Sequence, residues 1–440
     1  MASSAQAALE SLKAARRSSS GVSTSSILSV SSTALSQAIS SIDNGKSAVV
    51  VEIGTKLTKL GCAGELNPRH IIRTEFVDEH GRLITAEELL ALNNMKTASK
   101  PIEHYEDLLL KFLRSIFLKV LAPADRPVII VESLFMSVDL RNAISKVVVE
   151  KLRCKSLMFM PSHICCTFPF NTQNALVVDI GHSECVAIPI IEGVTMLNDF
   201  ASARSICGAQ LERRVREQMQ KYGKVEDMNG ERHAITESGW ADIDSIQLIE
   251  TLSLSLICRD KESAAKWKEW EEAADGEKPE IQSICKEKVV PINGKNIIVP
   301  AVVLETGIEI FFDEQLNPSS FDPNLPKLLH KLVAKCPIDL RKKLFPNTLL
   351  VGGVSTIPGL MQRLQQELKA IDEKNETKLA EKVKFYQFTD IKNSPVFTAW
   401  LGASLLGSLR ETIERKSLTL EDWRIGKQAA DWTDIIVKSR

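Results

Sequence analysis

Residues 48–64 read AVVVEIGTKLTKLGCAG, and residues 175–191 read ALVVDIGHSECVAIPII. Each stretch is an apolar β-type run, an acid (Glu52, Asp179), a β-branched residue (Ile53, Ile180) and a glycine (Gly54, Gly181). A second apolar run follows each glycine after a few polar residues, which predicts a hairpin in each place. A buried strand that ends in acid-x-Gly and a tight turn suits phosphate. Turn amides would point outward, and glycine would let the phosphate approach the backbone. Alone, either copy reads as an ordinary hairpin, because acid-x-Gly is common. Two copies predict a pair of turns facing each other across a cleft and gripping a nucleotide from both sides.

A third element supports this. Residues 347–359, NTLLVGGVSTIPG, predict a strand that ends in Gly352-Gly353, with a proline opening the next helix. Paired glycines let a backbone close over a flat ligand such as adenosine. Between these elements, apolar runs alternate with amphipathic stretches. A helix is predicted over 103–121 with Leu109, Leu113, Ile116, Phe117 and Val120 on one stripe, and a buried strand over Val128–Val131. A helix over Asp139–Leu152, a strand over Leu157–Met160, a helix opening at Gly208 and another over Pro326–Cys336 follow. A short helix is expected around Ala86–Leu92, and residues 301–312 read as an extended segment and turn. Strands alternating with helices give an α/β body. Residues 259–288 are densely charged with mixed signs around Trp267 and Trp270, which reads as a solvated helical excursion.

At 440 residues the chain can hold two or three cores. The net charge of -1 gives no general pull towards nucleic acid. No apolar run approaches the roughly 18 residues that span a bilayer. The nine cysteines are scattered and include no C-x-x-C, so free thiols in a reducing compartment are expected. Residues 162–166, SHICC, have no second Cys/His pair at ligand spacing and read as buried groups, not a metal site. Residues 1–44 hold fifteen serines and no aromatic, which predicts a disordered arm before the folded body.

The order of two acid-x-Gly hairpins, GGxxxxPG and Trp400-Leu401-Gly402-Ala403-Ser404 resembles the actin, sugar-kinase and Hsp70 ATPase superfamily. Finer wording is similar to the actin family itself. Gly61-Cys62-Ala63-Gly64 with Pro68-Arg69 resembles its GFAG…PR segment. Ile188-Pro189-Ile190-Ile191-Glu192-Gly193 resembles VPIYEG, and Cys336-Pro337-Ile338-Asp339-Leu340-Arg341-Lys342 resembles its CxxDxRK segment. Residues 45 to about 424 take part. Residues 128–133 (VIIVES), 160–163 (MPSH) and 336–339 (CPID) resemble most the divergent actin-related branch found at the pointed end of dynactin.

The resemblance implies a two-lobed fold with a nucleotide cleft. One lobe would comprise 45–169 with 395–440, and the other 170–394 with the excursion at 259–288. It implies that Gly54, Thr55 and Lys59 approach the phosphates, that Asp179 and Gly181 face them, and that Gly352 and Gly353 lie near adenosine. The departures fall on the chemistry. The family carries Asp where Glu52 stands, and one extra methylene displaces a carboxylate that orders water around Mg²⁺. The family's DxGDG is here Asp179-Ile180-Gly181-His182-Ser183. Its water-positioning glutamine falls at Ser162, its histidine at Val186 and its hydroxyl after Gly-Gly at Val354. The family's Lys-Glu pair near adenine has no match in Glu250-Thr251. Acid–base groups contribute roughly 10²–10⁴ in rate, so hydrolysis is expected to be negligible. A structural ATP or ADP, held without turnover, and an empty cleft both remain open, and no metal ligand is assigned.

A second departure concerns assembly. The interval from Arg69 to Val128 is shorter than the family's, and the GDEA and KRG signatures of the small lobe are missing. A reduced small lobe keeps one end able to join a filament and gives the next subunit little to hold. Head-to-tail contacts propagate until something blocks them, so such a subunit terminates growth. The leading expectation is a non-catalytic cap at the pointed end of dynactin's short actin-like filament, supporting dynein-driven microtubule transport. Its partners would be filament and pointed-end subunits. It would sit in the cytoplasm and cytoskeleton, without nucleic acid, membrane insertion or free homo-oligomers. The second expectation is a nuclear actin-related subunit of a chromatin-remodelling complex. The third is an active ATPase or sugar kinase, for which no unclaimed catalytic base beyond Asp179 and Glu184 is found.

Overall fold

The computed structural model describes residues 27–30, 47–78, 80–86, 100–120, 125–274, 277–319, 322–388 and 394–432. The chain divides into two compact units. One comprises 1–175, 190–195 and 386–440, and the other 176–189 and 196–385.

The first unit is built on a five-stranded sheet in the order His70–Arg73, Leu57–Cys62, Val49–Ile53, Pro127–Glu132, Ser156–Pro161. The first hairpin is antiparallel, with Val51 opposite Leu60 and Glu52 opposite Lys59. Pro127–Glu132 runs parallel to both of its neighbours, and all six of its residues are buried. Such a strand must be covered on both faces. The helix Ile102–Lys119 helps supply that cover, burying Leu109, Leu113, Ile116 and Phe117 as its stripe predicts.

The helix Ser394–Gly407 carries Trp400 and the small residues that let it press on the hairpin. Trp400 Nε1 donates to the Val50 carbonyl at 3.0 Å. A Cβ on Gly61 would lie 2.6 Å from the Trp400 ring, and one on Gly402 would lie 1.8 Å from the Cys165 carbonyl oxygen. WLGAS is therefore a packing code: only glycine permits those approaches.

Between Arg73 and Pro127, where the reduced lobe is expected, the described residues form a small hairpin (Glu75–Val77 with Leu83–Thr85) and the helix Ile102–Lys119. The short helix expected around Ala86–Leu92 lies almost wholly outside the described residues. So does most of the serine-rich arm. Within it, Ile27–Val30 forms an edge strand next to Phe385–Phe388.

In the second unit, Thr348–Val351 runs parallel to Ala175–Ile180, with Val351 level with Asp179. Cys185–Ile191 pairs antiparallel with Ala201–Ala203, and the helix Gly208–Tyr222 follows. Three expectations are corrected. Residues 301–312 are a helix (Ala301–Thr306) running into a 3₁₀ turn (Gly307–Phe311), not an extended segment. Pro300 opens it, and burial of Val302, Val303 and Leu304 outweighs the β preference of branched residues.

The charged excursion is anchored, not merely solvated. On the helix Lys261–Glu272, Trp267 is buried and donates to Glu305 at 3.0 Å. Glu305 also accepts from Ser283, from the Ile284 and Cys285 amides and from Arg259. Burial alone would raise its carboxyl, but these bonds hold it below the usual range. The predicted helix over Asp139–Leu152 is α-helical only over Val138–Ser145, and a π-helical turn follows over Lys146–Lys151. All nine cysteines are free, eight of them buried. Among the described residues, no helix is long and apolar enough to cross a membrane.

Candidate functional site

The residues expected around a nucleotide fall into two clusters, one in each unit. In the first unit, Gly54 closes the first hairpin. Its amide donates to the Leu57 carbonyl at 3.1 Å, and a Cβ there would lie 2.7 Å from that oxygen. The turn needs glycine for its own closure. Thr55 sits half-buried at the tip. Lys59 stands opposite Glu52 in the ladder, and its Nζ meets Glu52 Oε1 at 2.5 Å, both side chains largely buried. Glu52 Oε2 has no hydrogen-bond partner among the described residues.

In the second unit, the Gly181 amide closes its hairpin on the Glu184 carbonyl at 2.9 Å. The amides of Gly208 and Ala209, which open the next helix, donate to the carbonyls of Gly181 and His182 at 2.9 and 2.8 Å. Two of the amides that make a helix N-terminus attractive to phosphate are therefore already engaged. His182 Nε2 lies 3.5 Å from Glu212 Oε2 on the same helix. Burial raises the Glu184 carboxyl above its usual range, with Arg204 opposing.

The Gly-Gly turn packs directly on this loop. Gly352 has φ of 93°, and a Cβ would lie 2.3 Å from the Ile180 carbonyl and 2.6 Å from Asp179 Oδ1. Gly353 has open space where its Cβ would be. Asp179, Gly181, Gly352 and Gly353 are thus brought together at the carboxyl ends of neighbouring parallel strands, where α/β sheets hold ligands. Gly359, which ends the same stretch, has a packing role: a Cβ there would lie 2.1 Å from the Cys258 carbonyl oxygen.

The expectation that the turn amides point outward does not hold for Gly54 or Gly181, whose N–H groups close their own hairpins. The cation that would meet phosphate, Lys59, already has a carboxylate at contact distance. A single unpartnered carboxylate oxygen is not a metal shell. Ser162 opens a four-residue helix, Val186 faces Ser202 across a ladder, and Val354 is buried; neither valine carries a group that moves a proton.

Sequence reading missed two other groupings. Asp227, Glu231 and His233 cluster with their ligand atoms within 4.8 Å of one another. Asp227, however, serves its own turn, accepting the amides of Asn229 and Glu231. The second grouping lies in the first unit, where the buried Glu132 pairs with Arg141 at 3.2 Å. An acid ending a fully apolar strand and an arginine beside inward leucine and isoleucine were the signals for it. His163, from SHICC, is buried against Thr195, and burial pushes it down to about 4, so it is a neutral core histidine.

The family model named Actin matches residues 43–424. Actin-related protein 10 of Dictyostelium discoideum is 28% identical over 425 residues, covering 86% of each chain. Actin-related protein 3 of Saccharomyces cerevisiae is 30% identical over 138 residues, 30% of this chain and 29% of that one. The SWI/SNF and RSC complexes subunit arp42 of Schizosaccharomyces pombe is 21% identical, covering 82% of this chain and 92% of its own. The match runs through both hairpins, the Gly-Gly turn and the WLGAS helix, and the chain belongs to the actin family, with the actin fold over these residues.

Proposed function

We propose that this chain is a non-catalytic actin-related subunit that caps the pointed end of the short actin-like filament of dynactin, and so serves dynein-driven transport on microtubules. The observation that supports the non-catalytic part is the Glu52–Lys59 pair, in which the lysine expected at the phosphates already has an internal counter-ion. Hairpin glycines bonded within their own turns and Val186 in place of a proton carrier point the same way. A nucleotide, where one is held, is not turned over.

Three features support the cap. The interval between Arg69 and Val128 is short for the family. Residues 128–133, 160–163 and 336–339 resemble the dynactin pointed-end branch. A relative matched over most of both chains carries the name Actin-related protein 10. A subunit with one altered end stops a head-to-tail assembly. The partners would be the filament subunits on one side and other pointed-end subunits on the other, in the cytoplasm.

A second reading has one specific observation behind it, the similarity to a subunit named for the SWI/SNF and RSC complexes. Affinity purification of the tagged full chain from its own cells, followed by mass spectrometry, separates the two. Dynactin subunits with an actin-like filament support the cap. Remodelling ATPases without dynactin overturn it in favour of the nuclear role.

A further inference from the structure

The first unit contains a polar centre that the nucleotide question does not touch. Glu132 ends the strand Pro127–Glu132 and is 2% exposed. Arg141, on the helix Val138–Ser145, meets its carboxylate at 3.2 Å and lies 4.7 Å over the Phe159 ring. The same guanidinium holds a piece of the C-terminal chain. Nη1 pairs with Asp431 at 3.4 Å, and Nη2 donates to the Ala430 carbonyl at 2.7 Å. The Trp432 indole lies edge-on to His163 at 4.9 Å between centroids and also acts on the Glu132 carboxyl. His163 is fixed in turn by Thr195 at 3.0 Å.

The way the chain arrives is as informative as what it meets. After the helix Leu420–Arg424, residues 424–428 are exposed, and Gly426 turns in the left-handed region with φ of 81°. Ala429 then packs against the core cluster. After this exposed turn the chain is held again over residues 429–432. These contacts are a carbonyl, a carboxylate, an aromatic ring and a methyl group, meeting one guanidinium, one imidazole and one carboxyl. That is how a protein reads a short peptide, not how it builds a core element.

We propose that Glu132, Arg141, His163 and Thr195 form a binding site for a short acidic–aromatic peptide segment, filled in cis by Ala429–Trp432 and open to a like segment of a partner when that strap lifts. The strap is tethered by a short exposed linker, so its effective concentration at the site is on the order of millimolar. A partner segment must therefore displace it. Segments held by few buried contacts open with free energies well below that of global unfolding.

The probe is a fluorescein-labelled peptide of residues 427–434, followed by anisotropy against two full-length chains, the parent and Asp431→Asn with Trp432→Ala. Both altered residues belong to the strap, so the site itself is untouched. The loosened chain should bind the peptide at least about tenfold more tightly than the parent. A peptide with Trp432→Ala should lose that binding. A loosened chain that keeps the parent's circular dichroism but binds no better than the parent overturns the proposal. Hydrogen exchange on the unmodified chain covers the case of a variant that does not fold. Amides of 429–432 should exchange at least about tenfold faster than those of Ser156–Pro161. Equal protection of the two segments overturns the proposal.

Discussion

Glu52 and Lys59 stand directly opposite each other across the first hairpin, and their side chains meet at 2.5 Å. A longer acid than the family's aspartate reaches across the ladder and takes the charge of the lysine next to the turn. The substitution supplies Lys59 with an internal counter-ion.

The pair should be measurable as a coupling. Removing one partner leaves a largely buried charge uncompensated, which costs about 3 kcal/mol, while removing both costs much less. In urea denaturation, Glu52→Gln and Lys59→Met should each destabilise, and the double variant should fall well short of their sum. Additive effects would mean that the two side chains do not interact in solution.

Gly352 and Gly353 look alike in sequence and differ in the fold. Alanine at 352 meets the Ile180 carbonyl at 2.3 Å in a left-handed conformation, whereas alanine at 353 meets nothing. Gly352→Ala should cost about 3 kcal/mol or more, and Gly353→Ala less than about 1 kcal/mol, in the same denaturation experiment. Equal effects would contradict the packing of this turn on the Asp179 loop.

Stability should fall between mildly acid and neutral pH because of Glu132. Burial raises its carboxyl from 4.5 to about 7, with Arg141 and Trp432 opposing and Asp431 adding to the rise. An acid raised in the folded state contributes stability in full below its unfolded value and loses it as pH rises through the folded value. Comparison with Glu132→Gln isolates this group from other titrations. The glutamine variant should gain on the parent by up to about 3 kcal/mol between pH 4.5 and 8. A difference that does not change with pH would show that Glu132 titrates normally.

Turnover should be absent. In a preparation free of actin, phosphate release from Mg-ATP should stay at the blank rate, and Val186→His alone should not restore it, since Lys59 keeps its Glu52 counter-ion. A parent rate like that of actin would refute the non-catalytic reading.

The two hairpins and the Gly-Gly strand were legible as short apolar runs bounded by glycines, and the WLGAS helix by its small residues, as the approaches at Gly61, Gly352 and Gly402 show. Residues 301–312 were misread because Val302, Val303 and Leu304 favour a strand locally, and only burial on several sides makes them a helix. The helix around Trp267 was read as solvated because charge density hides a single buried indole and its acceptor, Glu305, which lies 38 residues on. At the site, residue identities did not announce that Glu52 would reach Lys59 or that the glycine amides would be consumed by their turns. Those are facts of register and side-chain length. The strap at Ala429–Trp432 was invisible, since its meaning depends on Arg141, which is remote in sequence.

A subunit that ends a filament, as proposed, sits at one end of it, and that position can be seen. Complexes purified through a different dynactin subunit, with this full chain carrying a tag labelled by gold, can be imaged by electron microscopy. The predicted result is one label per filament, always at the pointed end. Labels along the filament, at the opposite end, or absent from filaments while the protein co-purifies with remodelling ATPases, would contradict it.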